Sequence, residues 1–320
     1  MKRLRKNGNK AAGGARKRRV RLFVLLPLIA AAAFFLIYAL ISMTWNDTIT
    51  EAHYSISSPK LNSAVRVVLI SDLHRKQFDE TNQTLVDLIA EKEPDLICVD
   101  GDMLERDHTE EEDTKFVELV ERLVGIAPVY VSAGNHDYMA YCTSARRLQK
   151  EFDGMLDRSE LVDRLEAVGA VFVEEEYRDT VINDNNIRIG GFYEFAFLSK
   201  YDTEESWARR KPFLEEFCDT DSFKLMLSHR PDSFIYEDGG NAWDIDLVVS
   251  GHTHNGVIAL PFGLGAIWTG EGLFPEHDRG LFDLGKMKMV ITSGFDGHGL
   301  VPRVFNPPEI AVIELLPQNG

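Results

Sequence analysis

The sequence predicts an α/β protein: a largely parallel sheet laid down first, a second sheet packed on it, and one transmembrane helix ahead of both. Three observations carry that expectation. An uncharged, strongly apolar run covers residues 22–46. Between residues 65 and 137, short β-rich runs alternate with segments of helical period, and each run stops at a polar cluster. From residue 171 onward the pattern turns strand-rich. The composition, 44% hydrophobic and 27% charged with 24 Gly and 12 Pro in 320 residues, excludes wholesale disorder, collagen and coiled coil.

Residues 1–21 hold ten Lys or Arg and no acid. Such a basic flank stays in the cytoplasm, which places the rest of the chain, from residue 47, outside. The apolar run 22–46 is long enough to span about 30 Å of hydrocarbon, which takes about 20 residues. Pro27 lies near its start, where a helix loses few hydrogen bonds, and Trp45 lies at its far end, where aromatics favour the interface. A cleaved signal peptide has an apolar region of only about 7–15 residues, so this run reads as an uncleaved signal anchor. Residues 47–63 are polar and read as a stalk, with the folded domain at 64–320.

Beyond the basic tail, 25 basic residues face 51 acidic ones, and the whole chain carries −16. That balance disfavours a dedicated nucleic-acid binder. Three cysteines (Cys98, Cys142, Cys218) are too few and too odd for a disulfide framework, and Cys98 inside LICVD reads as a buried small hydrophobe.

Residues 65–70 (VRVVLI) form the first strand of the domain and end at Ser71-Asp72. A helix follows, with Leu85, Leu88 and Ile89 on one face. Residues 96–99 make a second strand, ending at Asp100-Gly101-Asp102. An acidic stretch from Thr109 feeds a helix with Phe116, Leu119, Val120 and Leu123 at helical spacing. Residues 128–131 make a third strand, ending at Gly134-Asn135-His136-Asp137. This β-α-β-α-β order implies parallel pairing and delivers polar residues to the carboxyl ends of strands, where open α/β sheets place their sites. Residues 159–168 and 204–217 read as helices, and strands are expected at 171–173, 180–182, 187–190, 224–227, 246–249, 288–291 and 310–315. Asn183-Asp184-Asn185-Asn186 is a hairpin signal between two of these.

Five polar blocks follow apolar strands: Asp72-Leu73-His74, Gly101-Asp102, Gly134-Asn135-His136-Asp137, Ser228-His229 and Gly251-His252-Thr253-His254. Singly they say little, since Asp-x-His is common in loops and Gly-Asp is usually a turn. His-x-His says more, because alternate residues of an extended segment point the same way. Jointly, at successive strand ends, they hold five of the chain's nine histidines. Carboxylates, an amide and imidazoles without thiolate suit borderline and hard ions such as Mn, Fe, Zn or Ni. Two divalent ions about 3.5–4 Å apart need a bridging carboxylate; together they activate water at neutral pH and clamp the oxygens of an in-line displacement at phosphorus.

In the order D-x-H, GD, GNHD, H and GHTH, the chain resembles the calcineurin-like metallophosphoesterase superfamily over about residues 65–316. With its anchor and the ending Gly297-His298-Gly299 … Pro302-Arg303 … Pro307-Pro308-Glu309-Ile310, it is most similar to the membrane-anchored YkuE/YaeI-like phosphodiesterases. The resemblance implies a four-layer αββα sandwich of two mixed β-sheets flanked by helices. It implies one metal held by Asp72, His74 and His254, another held by Asn135, His229 and His252, and Asp102 bridging both. A hydroxide between the metals would attack phosphorus in line. His136 is then no ligand; it faces the phosphoryl group and stabilises developing charge or protonates the leaving oxygen.

Some family members orient that histidine with an acid three residues after the bridging aspartate. Glu105 occupies this place and Arg106 follows it, although a solvated loop pair is the simpler reading of both. Asp137 is retained as an acid supporting the centre. Arg75 could pair with a phosphate oxygen and Arg303 with a distal group, but ordinary surface or structural pairing is preferred for each. His108 and His298 are read as non-ligands, and His53 and His277 sit in no motif. Where many relatives continue GHTHGGQ, this chain has Asn255-Gly256-Val257, which leaves the ligands intact and changes the wall beside them.

The implied activity is a dimetal-dependent phosphohydrolase acting on a phosphodiester, phosphomonoester or diphosphate. A small-molecule or lipid-linked cell-envelope phosphate suits an anchored enzyme. Relatives of this group are linked to the diphosphate bond of UDP-2,3-diacylglucosamine, a cytoplasmic-side reaction that opposes the orientation read here. The rival from another class is a non-catalytic, metal-dependent binding protein with the same fold. A weaker rival, a protein phosphatase, would need exported phosphoproteins.

Overall fold

The computed structural model describes residues 25–141, 159–200, 202–237, 239–256, 258–259, 265, 267–268, 272–297 and 303–318. The basic tail, residues 22–24 of the apolar run, Cys142 and His298 lie outside the described residues. The apolar run forms helix α1 (Leu25–Met43), about 28 Å long at 1.5 Å per residue and long and apolar enough to cross a membrane.

Alternation within the strands builds the rest. The first sheet runs β1–β14–β2–β3–β4–β5, comprising β1 (Thr50–Ser58), β2 (Val65–Ile70), β3 (Leu96–Asp100), β4 (Val129–Ser132), β5 (Val171–Phe172) and β14 (Glu309–Pro317). Strands β2 to β5 pair in parallel, as the β-α-β-α-β order requires, and β14 joins antiparallel to β2. The second sheet runs β12–β13–β9–β8–β7–β6, comprising β6 (Glu176–Ile182), β7 (Asn185–Gly191), β8 (Phe223–Leu227), β9 (Leu247–Ser250), β12 (Gly280–Asp283) and β13 (Lys288–Ile291). A small hairpin of β10 (Ile267–Trp268) and β11 (Gly272–Leu273) stands apart from both sheets.

Period-two side-chain placement divides the apolar residues among three layers. Val65, Val67 and Leu69 of β2 meet Leu225 of β8, Val249 of β9 and Val290 of β13 between the sheets. Val68 and Ile70 point the other way, toward Leu85 and Ile89 of α2 (Gln83–Glu91), Phe116 and Leu123 of α3 (Glu110–Val124) and Leu161 of α4 (Glu160–Ala167). On the far side, Met226, Val248 and Met289 meet Leu214 and Phe217 of α5 (Glu204–Cys218) and Phe234 of α6 (Asp232–Ile235). The four layers are thus helix, sheet, sheet, helix, as the resemblance implies.

Helix α3 begins where Thr109 and Glu112 form a capping box, and four acids in its first turn complement the helix dipole. The Asn183-Asp184 turn joins β6 to β7 with both residues at positive φ (47° and 63°), the geometry that a two-residue hairpin favours.

One segment differs from its sequence reading. Residues 47–63, read as a polar stalk, contain β1, which pairs in parallel with β14 from Thr50↔Glu309 to Ser58↔Pro317. Its inward Ala52, Ile56 and Ser58 alternate with polar residues, and its partner lies some 260 positions away. A half-exposed edge strand of that composition carries no local signal separating it from a linker. The strand expected at 180–182 begins at Glu176, and β10 to β12 were not foreseen.

Candidate metal centre

The two sheets bring the carboxyl ends of their parallel strands together. After β2 and β3, the amide of Asp72 donates to the Gly101 carbonyl at 3.1 Å and that of His74 to the Asp102 carbonyl at 3.0 Å. After β9, the amide of Gly251 donates to the His229 carbonyl at 3.1 Å, and that of His252 reaches the Asp72 carboxylate at 3.1 Å. These turns hold Asp72, His74, Asp102, His252 and His254 at positive φ, between 48° and 70°. Such backbone costs on the order of 1–3 kcal/mol per residue and persists only where the surroundings impose it. Gly134 is required for a different reason: a methyl group there would run into the Asp102 carboxylate.

The side chains converge. Asp102 Oδ2 lies 3.1 Å from His229 Nε2 and 3.8 Å from His74 Nε2, so it faces both halves of the cluster. Asp72 Oδ1 lies 3.4 Å from His254 Nε2 and 3.8 Å from His229 Nε2. The donor atoms of Asp72, His74 and His254 all fall within 4.8 Å of one another, as do those of Asp102, His229 and His252, and those of His74, Glu105 and His136. Two imidazoles are fixed through Nδ1 to carbonyl oxygens, His229 to Asp100 at 2.8 Å and His254 to Asp296 at 2.9 Å, which turns Nε2 inward.

Glu105 is not the solvated loop residue that the simpler sequence reading preferred. Its Oε2 lies 2.8 Å from His136 Nδ1 and its Oε1 lies 3.3 Å from His74 Nδ1. Asp137 is buried and ties two loops together, accepting at 2.7 Å from the amides of Met103 and Gly134. Arg75 is exposed and pairs with Asp107 and Glu112, each at 2.8 Å. Arg303 is buried, and its donors go to Ser293, Asp296, Asn306 and Pro307, so it braces the loop behind His254 instead of facing a substrate. His53, His108 and His277 lie in none of the three donor groups.

Asp296 escaped the sequence reading because it acts through its carbonyl, which no residue type signals. Asp100 also escaped, although it directly precedes Gly101-Asp102; it is buried, and burial pushes its carboxyl up to about 7.

The electrostatics follow from burial of opposite charges. Burial alone would raise Asp72 and Asp102, but the imidazoles of His254 and His229 for the first, and of His229 and His74 for the second, bring both below the usual carboxylate range. Burial would lower His74, yet its hydrogen bond to Glu105 and the charge of Asp102 carry it up to about 8. Burial and the charge of His229 press His252 down to about 3, leaving a neutral ring.

Metal ions fit this arrangement. Asp72 and Asp102 are 0% and 1% exposed, and among the described residues neither forms an ion pair with Lys or Arg. Buried carboxylates need a cationic partner. His229 Nε2, His74 Nε2 and Asn135 Oδ1 are buried without a hydrogen bond. These are the donor types that divalent ions of borderline hardness select.

The model for calcineurin-like phosphoesterases matches residues 65–256. YkuE, an uncharacterized metallophosphoesterase of Bacillus subtilis, is 24% identical over 257 residues, 79% of this chain and 80% of that protein. The UDP-2,3-diacylglucosamine pyrophosphatase LpxG of Chlamydia muridarum is 25% identical over 289 residues, 79% of this chain and 84% of that protein. The phosphodiesterase YaeI of Escherichia coli is 26% identical over 261 residues, 78% of this chain and 82% of that protein. With the match covering more than half of the chain and Asp and His residues positioned to bind metal ions, this protein belongs to the calcineurin-like phosphoesterase family and is a hydrolase, a metallophosphoesterase.

Proposed function

We propose that the chain is a membrane-anchored, dimetal-dependent phosphohydrolase whose substrate is a small or lipid-linked phosphate compound of the cell envelope. The observation that carries this reading is the buried pair Asp72 and Asp102, ringed by imidazoles and given no Lys or Arg partner among the described residues. Asp72, His74 and His254 would hold one ion. Asn135, His229 and His252 would hold the other, with Asp102 shared. Bound there, the two ions supply an activated water at neutral pH and neutralise charge on the phosphoryl oxygens.

The chain's own groups do the rest. The His136 amide donates to Asp102 Oδ1 at 2.7 Å, and its ring is set by Glu105 at Nδ1. Nε2 is then the nitrogen left to bond a phosphoryl oxygen or to hand a proton to the leaving oxygen. Glu105 stays ionised for this task, since hydrogen bonds from His74 and His136 hold its carboxyl down at about 2. Helix α1 and the basic tail before it support a cytoplasmic N-terminus with the catalytic domain outside.

A second reading, hydrolysis of a lipid-linked diphosphate, is favoured by the similarity to LpxG across most of both chains. Metal-stripped full-length protein, resupplied with Mn²⁺, Zn²⁺ or Fe²⁺, should hydrolyse bis-p-nitrophenyl phosphate or p-nitrophenyl phosphate only when metal returns. Two ions bound per chain with no turnover of either ester or of a diphosphate would instead indicate a binding protein of this fold.

A further inference from the structure

Among the described residues beyond α1, Leu273 (68%), Val181 (67%) and Phe274 (65%) are the most exposed large hydrophobics. Leu273 and Phe274 are adjacent, at the end of the small β10–β11 hairpin that belongs to neither sheet. Phe274 is held at φ 56°, a left-handed backbone that a bulky residue rarely adopts and that clusters where a segment has a task. The hairpin is fixed at both of its roots. Before β10, the Gly265 amide donates to the Asp278 carboxylate at 2.6 Å, and Gly265 pairs with Ala259. After β11, the carbonyl of the buried Asp278 accepts from the Thr253 hydroxyl, which ties the hairpin to the turn carrying His252 and His254.

The domain begins at the same corner. The Ala259 amide donates to the Val304 carbonyl at 2.9 Å, and the carbonyl of the preceding residue, Arg303, accepts from the Asn46 side chain at 3.3 Å. Asn46 follows Met43, the last residue of α1, by three positions, a reach of at most about 11 Å. So short a tether keeps this corner within reach of a bilayer that α1 crosses. Exposed Leu and Phe side chains beside a bilayer leave water by entering the boundary between headgroups and acyl chains. We propose that Leu273 and Phe274 dip into the bilayer surface, making the β10–β11 hairpin a second membrane contact that holds the His252–His254 turn there. The partner is a lipid surface without net negative charge: beyond the basic tail 51 acidic residues face 25 basic ones, and anionic lipid would repel the domain. Val181 is the counterexample, equally exposed but on β6, the edge strand of the second sheet, and it stays in water. The assignment rests on α1 crossing a membrane and is independent of the phosphohydrolase reading.

The test uses the full-length chain in phosphatidylcholine nanodiscs, with Cys142→Ser and Cys218→Ser and the buried Cys98 left in place. An environment-sensitive fluorophore is attached at Leu273→Cys or, for comparison, at Val181→Cys, and thermal melts certify folding. Lipid carrying a nitroxide near its headgroup should quench the fluorophore at position 273 severalfold and leave that at 181 almost unchanged. Phe274→Asn, which tolerates the left-handed backbone and removes the ring, should abolish most of the quenching at 273. Equal quenching at the two sites, or none at 273 in a chain that stays with the nanodiscs, would overturn the docking and leave the anchor standing. Quenching that survives Phe274→Asn would show that the fluorophore inserts instead of the hairpin, and would overturn it too. Disulfide-linked pairs through unlabelled Leu273→Cys, without lipid quenching, would give the face to a second copy of the chain. A chain that does not stay with the nanodiscs would remove the anchor and the docking together.

Discussion

Within β8 and the two residues that follow it, the chain changes character while its burial stays complete. Phe223, Leu225 and Leu227 are fully enclosed hydrocarbon, and Ser228 and His229 are equally enclosed and polar. The same change occurs from Val67 and Leu69 of β2 to Asp72, and from Val99 of β3 to Asp102. Strand bodies satisfy burial with dispersion and the hydrophobic effect, about 25 cal/mol per Å² of apolar surface removed from water. Strand ends bury charge, hold left-handed backbone at non-glycine residues, and leave His229 Nε2 and Asn135 Oδ1 without hydrogen bonds. Departures from the rules that stabilise the body mark the place built to hold something else.

If that contrast is sound, altering an end should remove function and altering a body should remove stability. The largest effect is expected from Asp102→Asn, which keeps the shape and deletes the shared charge. Metal content should fall below two per chain and turnover should vanish; full activity in this variant would refute the dimetal assignment. Next comes His136→Ala, expected to retain both ions by elemental analysis while turnover drops about 10²–10⁴-fold. Loss of metal there would move His136 into the ligand set. Glu105→Gln should cost about 10–100-fold in turnover, typical of a group that orients a ligand or acid. Its effect should be largely absent in a His136→Ala background.

Acidity gives a finer comparison. In the metal-free chain a proton sits on His74 below its raised value of about 8, and an incoming ion must displace it. Metal affinity should therefore climb as pH rises toward 8, by up to about tenfold per pH unit for each proton displaced, and level off above it, with proton release below 8 visible by calorimetry in buffers of different ionisation enthalpy. A pH-independent affinity would show that no proton is displaced from His74. Leu225→Ala should have the smallest catalytic effect. It should destabilise the fold by about 2–5 kcal/mol in denaturant titration and leave the specific turnover of the folded fraction unchanged.

The strand bodies were legible because hydrophobic alternation is a local property: VRVVLI and LICVD announce strands buried on both faces. The five polar blocks were legible because their residue types are unusual together at strand ends. Strand β1 was not, since its pairing depends on β14 at the far end of the chain. Glu105 was undervalued because only the folded loop shows it reaching His74 and His136 together. The brace formed by Arg303 and Asp296 behind His254 relies on backbone carbonyls, which a sequence does not advertise.

Anomalous diffraction from crystals of the chain grown with Mn²⁺, collected at the manganese edge, tests the central claim most directly. Two peaks are predicted, one bounded by Asp72, His74 and His254 and the other by Asn135, His229 and His252, with the Asp102 carboxylate between them. A lone peak among His74, Glu105 and His136, or no peak at these strand ends, would contradict it.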